Sequence, residues 1–94
     1  MSHEILDELY GVIMERRAHP IPESYTARLF AEGTDEILKK VGEESVEVIL
    51  AGKGQSDARV ASEAADLLYH LLVLLVARGV TLADVERELQ RRRR

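Results

Sequence analysis

The chain has 94 residues, a net charge of −4 and no cysteine, so we expect one domain with neither disulfide bonds nor thiolate metal sites. Apolar residues make up 46% of the sequence and aromatic residues 4%, a balance that excludes a disordered chain and favours packed helices. The negative charge and the few aromatic residues disfavour a nucleic-acid partner. We find no signal peptide and expect a cytoplasmic protein without a membrane span, because the most apolar stretch, residues 67–76, is too short to cross a bilayer.

The first two predicted helices flank a loop that is rich in helix breakers. Ser2 could cap the first helix, whose apolar residues share one face: Ile5, Leu6, Leu9, Val12 and Ile13. The loop at residues 19–23 contains both prolines of the chain. Ser24 is a suitable N-cap for a short helix over residues 25–31, and Gly33 is placed to end it.

The third predicted helix carries an acidic stripe beside its apolar face. Thr34 is its predicted N-cap, and the helix runs to about Ala51, before Gly-Lys-Gly at residues 52–54. At about 100° per residue, the core face and the stripe are neighbours. The core face contains Ile37, Val41, Ser45 and Val48, and the stripe contains Lys40, Glu43, Glu44 and Glu47. Glu44 lies at the border of the apolar face, so we expect that it does not point freely into solvent.

The fourth predicted helix begins at Ser56 or Asp57 and ends at Gly79, and residues 60–76 are apolar on almost every side. A helix of this kind is normally buried all round. A chain of this length has difficulty covering it alone, so we predict a homodimer or a larger homo-oligomer. The exceptions include one narrow polar stripe of Glu63, Asp66 and His70.

A fifth helix is indicated by Thr81 and Asp84, which have the spacing of a capping box. No alternating pattern typical of β-strands occurs. We therefore predict one all-α domain over residues 1–94, a compact bundle of four to five helices that is completed by dimerisation. No role can be assigned to the arginine tail at residues 91–94.

The acidic stripes of the third and fourth helices need compensating positive charge, because buried carboxylates without partners cost several kcal/mol each. Basic side chains such as Lys39, Lys40 or Arg59 could supply it. Five converging carboxylates are more readily neutralised by a hard divalent cation, and Mg²⁺ takes carboxylate and phosphate oxygens. Both interpretations stay open on spacing alone, with the metal site favoured.

The acidic pattern carries a family resemblance. Gly-Glu-Glu-Ser-Val-Glu followed by Glu-Ala-Ala-Asp has the form E-E-x-x-E…E-x-x-D, which resembles the metal motif of the all-α, MazG-like nucleoside triphosphate pyrophosphohydrolases. Residues 24–53 and 63–75 resemble the phosphoribosyl-ATP pyrophosphohydrolase family of histidine biosynthesis more closely still. This resemblance implies Mg²⁺-dependent hydrolysis of the α–β phosphoanhydride of phosphoribosyl-ATP, giving phosphoribosyl-AMP and pyrophosphate. It also implies the stand-alone form, without a fused cyclohydrolase domain.

The resemblance implies roles for individual residues. The candidate metal ligands are Glu44, Glu47, Glu63 and Asp66, and the candidate catalytic residues are Glu43, Glu44 and Glu47. Glu43 could be a further ligand or an outer-shell base. The candidate substrate-binding residues are Ser24, Tyr25, Thr26 and Lys40, because a helix N-terminus and a lysine both suit phosphate.

Structural roles compete with several of these functional ones. Ser24 could serve only as an N-cap, Tyr25 only in packing, and Lys40 only in a salt bridge to Glu43 or Glu44. For His70 a hydrogen-bonded core position is favoured, and Tyr69 has no readable role. Two other functions stay open: a general nucleoside triphosphate pyrophosphohydrolase with the same metal site, and a non-catalytic helical dimerisation module that binds no Mg²⁺.

Overall fold

The computed structural model describes residues 4–93, which form five helices joined by short connections. They are α1 (Glu4–Ala18), α2 (Tyr25–Glu32), α3 (Thr34–Gly54), α4 (Asp57–Arg78) and α5 (Leu82–Arg92). No strand occurs within residues 4–93, so the all-α prediction is confirmed. The predicted cap Ser2 lies outside the described residues.

Local capping explains where most of the helices begin and end. Ser24 and Ser56 each accept a hydrogen bond from the backbone amide three residues further on, at 3.1 and 3.2 Å. Thr81 and Asp84 exchange two side chain–backbone hydrogen bonds of 3.0 Å. Gly79 closes α4 in the left-handed conformation, with φ of 71°. The four predicted helix boundaries are confirmed, because the residues at each of them satisfy backbone groups that a helix end leaves unpaired.

Both ends of α3 differ from the prediction. Thr34 does not cap it: Gly33, at φ 101°, ends α2 and also precedes the first helical residue of α3. The two helices therefore follow one another with no residue left to act as a separate cap. At the other end α3 continues to Gly54, and the amide of Gln55 still donates to the carbonyl of Ala51 at 3.0 Å. A glycine costs a helix only about 1 kcal/mol, so the two glycines after Ala51 do not stop it.

The centre of the fold is the hairpin of α3 and α4, which share the most extensive contact in the molecule. A connection of two residues makes them antiparallel neighbours. Helices α1 and α2 cover one side, and α5 makes none of the larger contacts. The core cluster contains residues from each of the first four helices. Its buried members are Ile13, Leu29, Ile37, Leu72, Val73 and Val76.

Apolar surface remains exposed on both helices of the hairpin. Leu68 on α4 is 48% exposed, and Ile49 on α3 is 66% exposed. A single chain thus leaves part of α4 uncovered. Within residues 4–93, α4 is also the one helix long and apolar enough to cross a membrane. That is a weak indication, because the central helix of a water-soluble protein satisfies the same criterion. The sequence prediction considered only residues 67–76, which are too few to cross a bilayer, whereas the whole of α4 has the required length.

Candidate active site

The α3–α4 hairpin brings three carboxylates from two separate stretches of sequence together. Glu44, Glu63 and Asp66 offer oxygens that all lie within 4.8 Å of one another. Glu44 and Asp66 are each about three helical turns from the connection, so the antiparallel arrangement places them side by side. Glu63 lies one turn before Asp66 on the same face of α4. These three residues are called the acidic cluster below.

The acidic cluster contains more negative charge than its neighbours compensate. Glu63 is buried, and its Oε1 lies 2.8 Å from the guanidinium of Arg59. Glu44 is half-buried and Asp66 is exposed, and within residues 4–93 neither forms an ion pair. One arginine therefore faces three carboxylates. Hard carboxylate oxygens at this separation are a fitting donor set for Mg²⁺, which ordinarily keeps water or phosphate oxygens in its remaining positions.

The other two candidate acids of α3 lie outside the acidic cluster. Glu43 is half-exposed and its Oε1 lies 3.4 Å from Nζ of Lys40. Glu47 is exposed, one turn closer to the helix connection than Glu44. Of the five acids in the two stripes, the structure thus brings three together. It also forms two of the salt bridges that the sequence left open, Arg59 to Glu63 and Lys40 to Glu43.

An aromatic cluster of Tyr25, Tyr69 and His70 lies next to the acids. The rings of Tyr25 and Tyr69 stack at a centroid distance of 6.2 Å, and His70 meets both edge-on, at 5.8 and 5.0 Å. His70 is 6% exposed, and both of its ring nitrogens have partners. Nδ1 lies 2.7 Å from the carbonyl oxygen of Asp66, and Nε2 lies 3.0 Å from the hydroxyl of Tyr25. The prediction of a hydrogen-bonded core histidine is confirmed.

The four substrate-binding candidates have different surroundings. Ser24 uses its hydroxyl to cap α2. Thr26 is buried, and its hydroxyl is hydrogen-bonded to that of Tyr69. Tyr25 and Lys40 are only partly covered, so these two present polar groups to solvent beside the acids.

Electrostatics link Tyr25 to Lys40. Burial raises the pKa of Tyr25, and the Lys40 ammonium opposes that shift. The pKa of Lys40 is raised in turn, first by Tyr25 and then by its hydrogen bond to Glu43. Lys40 is therefore a full cation at neutral pH. It adds positive charge at the edge of an otherwise acidic site, where a polyanion would need it.

Two contacts of this site have no counterpart in sequence reasoning. The first is the bond between Thr26 and Tyr69, and the second is the bond between Tyr25 and His70. Each joins α2 to α4 over more than forty positions. The available signal was that Tyr69 and His70 are polar side chains in an otherwise apolar part of α4.

The chain is similar to known proteins over nearly its whole length. The sequence profile of the family described as phosphoribosyl-ATP pyrophosphohydrolase matches residues 6–93. The phosphoribosyl-ATP pyrophosphatase of Trichlorobacter lovleyi is 55% identical over 97% of this chain and 84% of its own length. The phosphoribosyl-ATP pyrophosphatase of Saccharolobus solfataricus is 50% identical over the whole of both chains. The histidine biosynthesis bifunctional protein HisIE of Caldanaerobacter subterraneus subsp. tengcongensis is 51% identical over 95% of this chain and 43% of its own length.

Proposed function

This chain belongs to the phosphoribosyl-ATP pyrophosphohydrolase family, and we propose that it hydrolyses phosphoribosyl-ATP at the α–β phosphoanhydride. The products are phosphoribosyl-AMP and pyrophosphate, and the reaction is a step of histidine biosynthesis. The main structural support for this reaction is the acidic cluster, in which three carboxylates from α3 and α4 lie close together. A free nucleotide as substrate makes the cytoplasm the expected location.

The acidic cluster is the proposed binding site for Mg²⁺. Glu44, Glu63 and Asp66 would hold the ion, and the family motif adds Glu47 as a further ligand. When bound, the ion neutralises the charge of the phosphates and orients them for in-line attack by water. The half-buried position of Glu44 and the buried position of Glu63 favour ion binding, because lower local polarity strengthens the attraction between carboxylate and cation.

The other polar groups of the site are proposed to accept a proton or to bind the substrate. Glu43 lies outside the acidic cluster and is the proposed acceptor for the proton of the attacking water. Lys40, which contacts Glu43 at 3.4 Å, would place a positive charge against the phosphates. The N-terminus of α2 at Ser24 offers backbone amides to a phosphate. Tyr25 and Thr26 complete the candidate substrate-binding set, with Thr26 acting through its bond to Tyr69.

We also propose that the functional unit is a homodimer or a larger assembly of dimers. The accessible surface of the chain is 6780 Å², whereas a monomer of this mass is expected to expose about 5,500 Å². The radius of gyration is 14.3 Å, against about 12 Å for a compact domain of this length. The surplus of about 1,300 Å² exceeds the roughly 800 Å² that each partner buries in a standard interface.

The proposed function is tested by measuring pyrophosphate release from phosphoribosyl-ATP and from ATP, dATP and GTP, each with Mg²⁺ and with excess chelator. We expect Mg²⁺-dependent release from phosphoribosyl-ATP and at least tenfold lower kcat/KM for the ordinary triphosphates. Equal kcat/KM for all substrates would instead indicate a general nucleoside triphosphate pyrophosphohydrolase. Absence of release from every substrate, together with no Mg²⁺ binding, would indicate a non-catalytic module.

A further inference from the structure

His70 has a hydrogen-bonding arrangement that fixes where its proton lies. Its Nδ1 is 2.7 Å from the carbonyl oxygen of Asp66, one turn earlier in α4. A carbonyl oxygen can only accept, so Nδ1 must carry the hydrogen. In the neutral ring Nε2 is then a lone-pair acceptor. The hydroxyl of Tyr25, 3.0 Å from Nε2, is therefore the donor of that bond.

This direction determines what the hydroxyl of Tyr25 can do towards solvent. A tyrosine hydroxyl has one hydrogen, and here it points inward to a ring that is 6% exposed. The oxygen of Tyr25 keeps only lone pairs for an outside partner. Phosphate oxygens are acceptors as well, so the two would repel one another. Groups that carry N–H or O–H hydrogens are the suitable partners.

The surroundings of Tyr25 agree with an acceptor facing donors. Lys40 carries three ammonium hydrogens, and its charge opposes the burial-driven rise in the pKa of Tyr25. The guanidinium of Arg28 lies 5.9 Å from the centroid of the Tyr25 ring. The Tyr25 ring stacks against Tyr69, and its hydroxyl has a hydrogen bond to His70, so both contacts hold the oxygen in place.

We propose that His70 is a positioning residue that fixes Tyr25 as a hydrogen-bond acceptor beside the acidic cluster. Tyr25 then binds N–H or O–H donors, either the Lys40 ammonium or an amino or hydroxyl group of the nucleotide, and does not bind phosphate oxygens. His70 touches no substrate and acts through Tyr25. The kinetic part of this inference rests on the proposed function, whereas the hydrogen-bond direction is a property of the protein alone.

The direction is tested by nitrogen-15 NMR of the histidine rings in the full chain at about pH 8.5, where histidine is ordinarily neutral. We expect one ring to be in the Nδ1–H tautomer and its signals to be absent from His70→Gln. Tyr25→Phe should leave that tautomer in place and shift Nε2 towards the value of an unbonded nitrogen. An Nε2–H tautomer for His70, or an unchanged Nε2 shift in Tyr25→Phe, would overturn the proposal whether or not the protein turns over phosphoribosyl-ATP.

Kinetics test the consequence for substrate binding. Tyr25→Phe and His70→Leu should each raise KM for phosphoribosyl-ATP about 2- to 12-fold, the effect of one lost hydrogen bond, with little change in kcat. The double variant should be no worse than the poorer single variant, because both changes remove the same interaction. His70→Gln, which keeps a donor and an acceptor, should recover part of the loss.

Two comparisons complete the kinetic test. If the donor is Lys40, Lys40→Met should show the same non-additivity with Tyr25→Phe; if it is the nucleotide, these two effects should add. Tyr69→Phe, which removes only the bond to Thr26, serves as the control and should add to Tyr25→Phe. Additive losses for Tyr25→Phe and His70→Leu would contradict the positioning role. Should His70→Leu fail to fold, the nitrogen-15 comparison of the wild-type chain with Tyr25→Phe, which leaves His70 in place, still tests the proposal.

Discussion

At the scale of single residues, the acidic cluster is a place where function and stability oppose each other. Glu44, Glu63 and Asp66 repel one another within 4.8 Å, and Arg59 compensates one of them. We expect such crowding to destabilise the fold without metal, and Mg²⁺ bound at the proposed site to relieve it. Charge-neutral substitutions of the same shape should therefore affect activity and stability in opposite directions.

Glu44→Gln and Asp66→Asn test this opposition directly. Each variant should lose Mg²⁺-dependent pyrophosphate release by at least a hundredfold, because an amide is a much poorer ligand for a hard cation. In chelator, the free energy of unfolding should stay equal or rise, since like-charge repulsion is relieved. Both quantities can be followed in the same preparations, by a pyrophosphate assay and by urea unfolding monitored with circular dichroism.

The matched control for these variants is Glu32→Gln. Glu32 ends α2 and is exposed, and it lies outside the acidic cluster, so the same chemical change there should leave turnover intact. Near wild-type activity in Glu44→Gln or Asp66→Asn would remove that residue from the set of essential ligands.

Arg59 should compete with the metal for Glu63. Its guanidinium lies 2.8 Å from Oε1 of Glu63; the carboxylate is buried, and about half of the arginine side chain is exposed, so the pair is worth at least the roughly 0.2–1 kcal/mol of an exposed ion pair. Arg59→Gln should therefore tighten Mg²⁺ binding by at least about 1.4-fold, as measured by calorimetric titration without nucleotide. Arg78→Gln removes the same charge from the far end of α4 and should change the affinity less. Weaker Mg²⁺ binding in Arg59→Gln would indicate that the arginine supports the site and does not compete for it.

The sequence could predict the acids of this site but not the hydrogen bonds that join its aromatic residues. Glu63 and Asp66 are three positions apart in one helix, and helical geometry alone places them on one face. The bonds of Thr26 to Tyr69 and of Tyr25 to His70 depend on how α2 packs against α4. No local pattern encodes a packing contact across more than forty residues, so these partners appear only in the folded chain.

At the scale of the helices, two glycines should respond in opposite directions to substitution by alanine. Gly79 ends α4 at φ 71°, a conformation that costs an L-residue about 1–2 kcal/mol. Gly42 lies inside α3, is exposed, and has nothing within 4 Å of an added Cβ. Gly79→Ala should lower the free energy of unfolding by about 1–2 kcal/mol, whereas Gly42→Ala should raise it by about 0.5–1 kcal/mol.

Urea unfolding at one fixed protein concentration measures both changes, since association would otherwise shift the midpoint. A stable Gly79→Ala variant would show that the end of α4 can rearrange without strain. A destabilised Gly42→Ala variant would point to a neighbour at that position, such as a second copy of the chain, that the added methyl group meets.

Helix α5 should depend on pH through its capping box. The amide and hydroxyl of Thr81 hold the pKa of Asp84 below its usual value. A carboxyl group with a lowered folded-state pKa stabilises above its unfolded value, about 3.9, and loses that effect as pH falls through the lower folded value. The start of α5 should therefore loosen as the pH falls below about 4 and through the lowered folded-state pKa, where Asp84 takes up a proton.

The amide proton of Thr81, which donates to Asp84 at 3.0 Å, reports this change by NMR. Its chemical shift should move as the pH is lowered and should not titrate in Asp84→Asn. Glu88 also has a lowered pKa because it is hydrogen-bonded to Arg91, so its own signals serve to separate the two transitions. The cap of α2, which contains no carboxylate, should be unaffected.

Helix ends were predictable wherever the cap is local. Ser24, Ser56 and the Thr81–Asp84 box are read from adjacent residues, and all were found as expected. Thr34 failed as a cap because Gly33 already occupies the only residue between two helices. The prediction assumed that each helix has its own cap residues, but α2 and α3 share Gly33 as their boundary.

At the scale of the whole molecule, exposed apolar side chains mark the surface that a second copy would cover. Each is about half or more exposed: on α4 the residue is Leu68, and on α3 they are Leu38, Val46, Ile49 and Leu50. Leu68 also borders an apolar groove of about 260 Å³ between α4, α1 and α5. Patches of this kind on a small chain are typical of interfaces.

This exposed apolar surface predicts that the chain associates with itself. We expect the wild-type chain to be a dimer or a multiple of dimers at micromolar concentration, measured by light scattering after gel filtration. Leu71→Glu and Leu74→Glu should dissociate or unfold it, but both side chains are partly buried within the chain, so these variants do not separate the two effects. Leu68→Lys is the sharper change, since Leu68 is 48% exposed and its loss should weaken association while the helical circular dichroism spectrum is kept.

Ile5→Lys is the control for this test, because Ile5 on α1 is 71% exposed and lies on a helix outside the hairpin. It should leave the oligomeric state unchanged. A folded wild-type monomer at micromolar concentration would contradict the proposed assembly. A Leu68→Lys variant that stays dimeric would instead indicate that the interface is on the outer face of α3. Ile49→Lys would then be the variant that tests it.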